Sequence, residues 1–214
     1  MKLFIIGATG RTGQELVNQA LEQGHKVTAY VRNPEFNSSN SKLEVVYGQL
    51  DDVNNLAKAM AGNDVVLATL GNPASDRNGK LFEFAIPCII TAMDMAGVKR
   101  FISLSALGVG NTYENTRYPY RMGSRTFLKG NFADHLAGEQ KLKSSDLCWT
   151  TVHPGPLFNG DRTVNPTVRL AKSGFKMSGT PRTNRSDVAS VMLRIINDTS
   201  TFRNEIIMSS NQDQ

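Results

Sequence analysis

The chain has 214 residues, the length of one ordinary domain, and 40% of them are apolar, which is enough for a substantial core. Charged residues make up 20% of the chain, a fraction that argues against a disordered protein or a coiled coil. The net charge of +5 is compatible with an acidic partner, either nucleic acid or an anionic small molecule.

The sequence offers no targeting or membrane segment. It contains no stretch of about 18 consecutive apolar residues, so no membrane span is predicted. Gly7 and Gly10 interrupt the first apolar run, which argues against a secretory signal peptide. Cys88 and Cys148 lie far apart in apolar stretches, and we expect buried free thiols in a cytoplasmic protein. No Cys/His cluster has metal-ligand spacing, so no metal site is predicted.

The first half of the sequence alternates strand and helix patterns. Strands are predicted at residues 2–6, 26–31, 43–47, 64–70, 100–104, 148–152 and 205–208, and helices at residues 12–23, 53–60, 84–96, 134–144 and 186–197. Pro87 lies inside the third helix pattern and implies either a kink or a later start.

This alternation predicts βαβ units, and right-handed crossovers favour a Rossmann-type doubly wound parallel sheet with helices on both faces. We expect one Rossmann domain over residues 1–214, with a small C-terminal region on the substrate side. Ligands of such sheets bind beyond the carboxyl ends of the strands. The long segments 111–132 and 153–185 are therefore predicted to be substrate-side loops.

Three glycines follow the first strand at intervals of three residues and open the first helix. Gly7 would permit a tight turn, Gly10 would let the backbone approach a pyrophosphate, and Gly13 would let the helix pack closely on the sheet. The alternative is a glycine-rich turn that binds nothing. The candidate cofactor contacts in this loop are Gly7, Thr9, Gly10, Arg11, Thr12 and Gly13.

The end of the second strand indicates which dinucleotide is bound. A free ribose 2′-hydroxyl calls for Asp or Glu there, but the sequence has Arg32 and no acid. Arg32 could hold a 2′-phosphate, and Arg11 could add a second charge or stack on the adenine. We therefore expect NADP(H) to be preferred and NAD(H) to be possible, unless both arginines are merely solvated.

Further contacts are predicted from position along the chain. Gln49 and Leu50 follow the third strand and would flank the adenine, while Leu70 and Gly71 would lie near the nicotinamide ribose. Pro154, at the end of the sixth strand, completes this set. Each of these could equally be an ordinary loop residue.

Ser105 ends the fifth strand and would face the nicotinamide, where it could hydrogen-bond a carbonyl group or orient the substrate. The alternative is a loop serine without a catalytic role. It is a candidate both for catalysis and for cofactor binding.

Four motifs carry a family resemblance: G-A-T-G-R-T-G at 7–13, V-R-N-P at 31–34, G-V-K-R-F-I-S-L-S-A-L-G-V-G at 97–110 and W-T-T-V-H-P-G-P-L at 149–157. They resemble the atypical short-chain dehydrogenases/reductases over essentially the whole chain. Within these, the chain is most similar to the NmrA-like NAD(P)H-binding family, in the subgroup of flavin reductase/biliverdin reductase B. None of the motifs is specific for a substrate.

One departure from the wider family limits the chemistry. The larger short-chain dehydrogenases carry a Tyr-x-x-x-Lys pair on the helix before the sixth strand, and those positions hold Asn131 and His135 here. The usual Tyr–Lys oxidation of alcohols or sugars is therefore not expected. His135 and His153 are candidate proton donors, although either could be a surface or packing histidine.

The basic residues of the second half suit an anionic acceptor. They are Arg117, Arg121, Arg125 and Lys129 in 111–132, and Arg162, Arg169, Lys172, Lys176, Arg182 and Arg185 in 159–185. Arginines would bind a flavin phosphate or bilin propionates. Because no helix-turn-helix or aromatic platform accompanies them, nucleic acid is not an expected partner.

The resemblance and the site residues together predict an NADP(H)-dependent reductase of a planar, flavin-like small-molecule acceptor, acting as a monomer or homodimer. Two alternatives stay open. One is a non-catalytic NmrA-like redox sensor that binds NADP(H) and acts through protein partners. The other is a sugar or ketone epimerase or reductase that uses Tyr113, Tyr118 or Tyr120.

Overall fold

The structure, a computed structural model, describes residues 1–33, 36, 40–72, 79–126 and 129–211. Its strands are β1 Lys2–Ile6, β2 Lys26–Val31, β3 Leu43–Tyr47, β4 Val65–Ala68, β5 Arg100–Leu104, β6 Cys148–Pro154, β7 Leu157–Phe158, β8 Thr167–Leu170, β9 Thr183–Asn184 and β10 Asn204–Ser209. Its α-helices are α1 Arg11–Glu22, α2 Val53–Met60, α3 Leu81–Ala96, α4 Tyr120–Thr126, α5 Lys129–Lys143 and α6 Arg185–Arg194.

Eight strands form one sheet in the order β3-β2-β1-β4-β5-β6-β10-β8. The pairs from β3 to β10 are parallel, and β8 runs antiparallel to β10. The order reverses between β1 and β4, and ligands bind at the carboxyl ends of strands at such a switch point. The predicted Rossmann-type doubly wound sheet is therefore confirmed.

Helices cover both faces of the sheet because successive residues of its strands point to opposite sides. Leu3 and Ile5 of β1 belong to the core that α1 and α6 cover. Phe4 and Ile6 belong to the core that α2, α3 and α5 cover. The carboxyl ends of the strands are thus held between two packed helical layers. None of the described helices has the length and apolar character needed to cross a membrane.

The two predicted substrate-side loops contain more regular structure than the sequence indicated. The segment 153–185 includes β8, whose Val168 and Leu170 pack against the core under α1 and α6. The segment 111–132 includes α4 and the beginning of α5. Four alternating residues within a basic stretch are too short a pattern to predict an edge strand. The side chain of Arg125 and residues 127–128 lie outside the described part of the chain.

The helix α3 begins at Leu81, so the later start that Pro87 implied is wrong. The reason lies on another helix. The Asp134 carboxylate of α5 accepts hydrogen bonds from the backbone N–H groups of Phe82 and Glu83, at 3.1 and 2.9 Å. These groups need a partner at a helix N-terminus, and a residue distant in sequence supplies it.

The two cysteines are free, as expected, but Cys88 and Cys148 are each half-buried rather than fully buried.

Candidate functional site

Two of the three loop glycines are required by the geometry of the first turn. Gly7 has a φ of 82°, and a Cβ there would lie 2.8 Å from the Thr69 carbonyl oxygen. A Cβ on Gly13 would collide with the Gly7 carbonyl oxygen. Gly10 has an ordinary φ of −71°, so it is not needed for backbone conformation. The turn and the close helix packing that the glycine spacing predicted are therefore both present.

The N-terminus of α1 is open to an anion. Gly10 is its N-cap and provides no side-chain hydrogen bond, and the first turn contains no acidic residue. The free N–H groups and the positive end of the helix dipole therefore have no negatively charged partner on the helix itself. A pyrophosphate fits this arrangement.

A cleft of about 490 Å³ opens beside the loop, at the carboxyl ends of β1, β2 and β4. Seven of the predicted cofactor contacts line it: Gly7, Thr9, Gly10, Arg32, Leu50, Leu70 and Gly71. Arg32 and Lys80 contribute positive charge to the lining, and no carboxylate belongs to the described lining residues. The cleft is therefore suited to a ligand that carries several negative charges.

Other predicted contacts lie outside this lining. Thr12 and Gly13 are buried within α1. Gln49 accepts a hydrogen bond at its carbonyl from the Tyr30 hydroxyl, at 3.1 Å. The Pro154 carbonyl accepts one from the Leu107 N–H, at 2.8 Å.

Tyr30 and Gly48 form part of the cleft wall and were not found from the sequence. A Cβ on Gly48 would collide with the Tyr30 hydroxyl, so the glycine makes room for the ring. Burial raises the pKa of Tyr30, which keeps the hydroxyl protonated and able to donate. An aromatic residue at the end of a strand, followed by a glycine after the next strand, is too weak a pattern to predict this contact.

Arg11 and Arg185 lie near one another beside the glycine loop. Burial lowers the pKa of Arg185, and the positive charge of Arg11 lowers it further. Arg185 also donates to the Asn159 side-chain oxygen, at 2.8 Å. Two neighbouring guanidinium groups at this position would both be stabilised by an anion.

Ser105 lies at the carboxyl end of β5. The neighbouring strand β4 ends at Ala68, which pairs with Ser103, and the residues that follow β4, Leu70 and Gly71, line the cofactor cleft. The Ser105 hydroxyl donates to Glu139 Oε1 at 2.5 Å. Its oxygen is also 3.3 Å from His135 Nδ1. The predicted catalytic residues Ser105 and His135 are therefore in contact.

His135 is neutral at physiological pH. Burial lowers its pKa to about 4, and His153 contributes to the same shift. Its ring stacks on Phe82, with 3.8 Å between the ring centres. Because the Ser105 hydrogen is directed at Glu139, we assign the proton of the imidazole to Nδ1, which then donates to the serine oxygen.

His153 is completely buried. Its Nδ1 is 3.0 Å from the Ala106 carbonyl oxygen, and its Nε2 is 2.9 Å from Thr151 Oγ1. Nε2 is also 3.6 Å from Glu139 Oε1. His153 therefore reaches Ser105 only through Glu139, and its predicted role as a proton donor would be indirect.

Glu139 is the central residue of this cluster and was not found from the sequence. Its carboxylate lies 3.8 Å from Lys143 Nζ, and Lys143 in turn contacts Glu205 Oε1 at 2.6 Å. Ligand atoms of Glu139, His153 and Glu205 lie within 4.8 Å of one another, but the Lys143 ammonium already supplies a cation there. The spacing 135/139/143, which places polar side chains on one helix face, is the signal that could have revealed it.

A hydrogen bond joins the cluster to the cofactor cleft. Asp134, next to His135 in sequence, accepts from the Asn72 side-chain amide at 2.8 Å, and Asn72 lines the cleft. A void of about 10 Å³, close to the volume that one water molecule needs, lies among Ser105, His135 and Glu139.

The tyrosines proposed as alternative acids have other contacts. Tyr120 donates to the Leu107 carbonyl oxygen at 2.7 Å, and burial raises its pKa. The guanidinium of Arg121 lies 4.4 Å from the ring centre of Tyr113. Tyr118 is exposed. No contact of Tyr113, Tyr118 or Tyr120 with Ser105 occurs among the hydrogen bonds of the described residues.

Several arginines of the basic stretch contact the protein itself. Arg182 stacks over Phe158 at 3.9 Å, and Arg169 lies over Phe175 at 5.4 Å. Since stacked guanidinium groups keep their hydrogen-bond donors, these contacts do not prevent anion binding.

The fold and the open glycine loop define a dinucleotide-binding Rossmann protein. Comparison with known proteins agrees. An uncharacterized sugar epimerase, YhfK of Bacillus subtilis (strain 168), is 29% identical over 212 residues, which is 94% of this chain and 90% of the relative.

A family model described as NAD(P)H-binding matches residues 7–199, and the chain belongs to this NmrA-like family. A short-chain dehydrogenase/reductase of Veillonella parvula DSM 2008 in complex with NADP superposes with a TM-score of 0.80 at 17% identity, over 97% of this chain and 94% of that one. ChuY of Escherichia coli O157:H7, described as an anaerobillin reductase, superposes with a TM-score of 0.77 at 18% identity, over 100% and 99%. The resemblance predicted from the four motifs is confirmed.

Proposed function

We propose that the protein is an NADP(H)-dependent oxidoreductase that reduces a flavin-like or other planar conjugated acceptor. The observation that carries this proposal is the open glycine-loop cleft, which the hydrogen bond between Asn72 and Asp134 links to the helix that holds His135 against Ser105. The bound nicotinamide would supply the hydride. Ser105 and the neighbouring residues would orient the acceptor against it.

The preference for NADP(H) rests on the charge of the cleft. Arg32 lies where an NAD-specific protein would carry an acid, and a guanidinium binds a phosphate with paired hydrogen bonds. Arg11 and Arg185 would stabilise the pyrophosphate or the 2′-phosphate further. This specificity is a proposal, and NAD(H) would still bind through the glycine loop.

Asn131 and His135 occupy the positions of the Tyr–Lys pair of larger short-chain dehydrogenases. A planar acceptor is compatible with the absence of that pair. A flavin takes hydride at a ring nitrogen, and solvent can supply the proton. Arginines of the basic segment 159–185 would bind a phosphate or propionates of the acceptor. The anaerobillin reductase described for ChuY is an example of such chemistry on this fold, although that likeness extends only to the fold.

The test is oxidation of NADPH by the purified protein, followed in the absence of oxygen with flavins, quinones and bilins in turn. We expect turnover with at least one acceptor and a lower KM for NADPH than for NADH. Tight NADPH binding with oxidation no faster than background would refute catalysis and favour the redox-sensor alternative.

A sugar or ketone epimerase or reductase is the second candidate, and the name of the YhfK relative favours it. If one of the three tyrosines were its acid, the triple variant with Tyr113, Tyr118 and Tyr120 changed to Phe would lose activity. Full activity of the triple variant would eliminate that route.

We also propose that the partner is a small molecule rather than nucleic acid, and that the protein acts as a monomer or homodimer. The free Cys88 and Cys148 favour a reducing compartment such as the cytoplasm.

A further inference from the structure

The hydrogen bond between Ser105 and Glu139 has the geometry of an acid–base pair. Its length of 2.5 Å is typical of a hydroxyl that donates to an ionised carboxylate. His135 Nδ1 lies 3.3 Å from the same serine oxygen. The serine hydrogen is therefore directed at Glu139, and the serine oxygen can accept a hydrogen bond from His135.

Glu139 is buried, and the Lys143 ammonium lies close to its carboxylate. Only 5% of the residue is exposed, and no described residue forms a hydrogen bond with its Oε2. Lys143 Nζ lies 3.8 Å from Oε2, and His153 Nε2 lies 3.6 Å from Oε1. Glu205, which binds Lys143, is the other charged group of the cluster. Glu139 therefore binds Ser105 through one carboxylate oxygen, and its other oxygen lies near the Lys143 ammonium.

We propose that Ser105 and Glu139 together perform the acid–base step for which larger short-chain dehydrogenases use a Tyr–Lys pair. Ser105 is the catalytic residue that touches the acceptor, and Glu139 is the positioning residue behind it. The inference rests on the proposed function and extends its acceptors to carbonyl compounds and quinones, whose oxygen must take a proton when they are reduced.

The proton balance is complete in both directions. In reduction, the acceptor oxygen takes the Ser105 Oγ proton, and Ser105 Oγ takes a proton from the Glu139 carboxyl group. Glu139 is left as the carboxylate that accepts the serine hydrogen bond in the structure, and a solvent proton restores it. In alcohol oxidation the proton moves from the substrate hydroxyl through Ser105 to Glu139. The overall reduction consumes one proton for each hydride that NADPH supplies.

The first experiment needs no turnover. ¹⁵N NMR of the cofactor-free protein at pH 7 reports which nitrogen of His135 carries the proton, and H135Q assigns its signals among the three histidines. We expect protonated Nδ1 in the wild type, because Ser105 donates to Glu139. In E139Q the new amide can donate to Ser105, so we expect the serine to donate to Nδ1 and the proton to move to Nε2. Unprotonated Nδ1 in the wild type would overturn the assigned hydrogen-bond direction.

The second experiment compares acceptors. Relative to wild type, E139Q and S105A should reduce quinones and carbonyl compounds about 100-fold more slowly in kcat, the usual effect of losing a general acid. Flavin reduction should slow by a much smaller factor in both variants, because a flavin needs no proton from the protein. The solvent deuterium isotope effect on quinone reduction should fall toward one in both variants. E22Q, the same chemical change on the exposed end of α1, is the matched control.

The S105A/E139Q double variant should be no slower than either single variant, because the two residues act as a unit. S105A removes a single oxygen atom and keeps the test valid if E139Q does not fold. If E139Q and the wild type reduce quinones at equal rates and both still reduce flavins, the acid–base role of Ser105 and Glu139 is refuted while the proposed function stands. Failure of the wild type with every acceptor would refute the proposed function and this role with it.

Discussion

Asp134 connects the cofactor cleft with the N-terminus of α3 and directly precedes His135 in the chain, so its replacement by alanine perturbs all three. The carboxylate accepts hydrogen bonds from Asn72 at 2.8 Å, from Phe82 N–H at 3.1 Å and from Glu83 N–H at 2.9 Å. Lys80, the N-cap residue of α3, offers no side-chain hydrogen bond of its own. Asp134 is therefore the cap of α3, supplied from α5.

The cost of D134A follows from these contacts. Loss of an N-cap costs typically about 1 kcal/mol, and a hydrogen bond to a charged group contributes roughly 1.5–3 kcal/mol. Because Asp134 is buried, its partners cannot all be rehydrated, and we expect the free energy of unfolding to fall by about 3 kcal/mol. For a chain of this size that corresponds to a decrease in Tm of about 6–12 °C.

Thermal and urea unfolding measure this change, and fluorescence titration measures NADPH binding by the same variant. We expect weaker NADPH binding as well, since Asn72 loses the contact that holds it at the cleft. D146A is the control, because the Asp146 side chain is 100% exposed. A D134A protein within about 0.5 kcal/mol of wild type, the range of ordinary surface substitutions, would refute the assignment of Asp134 as the cap.

Three further predictions concern the cleft and the pH dependence. R32D should weaken NADPH binding about 10–100-fold, the range for a lost charge-assisted contact, and should weaken NADH binding much less. Equal losses of affinity for the two cofactors, measured by calorimetry, would mean that Arg32 does not bind the 2′-phosphate. G13V should abolish cofactor binding and destabilise the protein by about 1–3 kcal/mol, because the valine side chain would collide with the Gly7 carbonyl oxygen. NADPH titration measures the first effect, and urea unfolding measures the second. For His135, whose pKa falls from 6.5 to about 4 on folding, the neutral ring is favoured in the folded state. The neutral His135 ring therefore stabilises the folded protein by about 3 kcal/mol above pH 6.5, and this stabilisation is lost as the pH falls toward 4. The free energy of unfolding of H135Q, measured in urea, should decline less than that of the wild type over this pH range. Identical pH profiles of the two proteins would refute the low pKa of His135.

The sequence predicts the parallel sheet and the glycine-rich turn after β1 well, because both depend on local patterns. Buried strands carry continuous apolar runs, and the turn at Gly7 and the close packing at Gly13 impose glycine directly. Each of the strands β1 to β6 can therefore be predicted from one short segment of the chain.

The features that the sequence does not predict depend on residues distant in the chain. The start of α3 depends on Asp134 of α5, more than 50 residues away. The edge strand β8 depends on pairing with β10, which comes later in the chain. Glu139 gains its significance only because folding brings it to Ser105 and His153. A pattern confined to one segment contains none of these relations.

The arrangement around Glu139 also explains how the site can contain acid–base groups although the Tyr–Lys pair is absent. A catalytic Tyr–Lys pair combines a hydroxyl with a cation that stabilises its charged form. Here the hydroxyl of Ser105 is combined with the Glu139 carboxylate, and the cation, Lys143, lies behind that carboxylate rather than beside the hydroxyl. His153 is placed within the protein, against Glu139, where it can affect the charge of the cluster but cannot contact an acceptor. If the proton passes along this line, the acceptor needs only to reach Ser105, and the preference among acceptors is then set by their shape and by the basic residues of the segment 159–185.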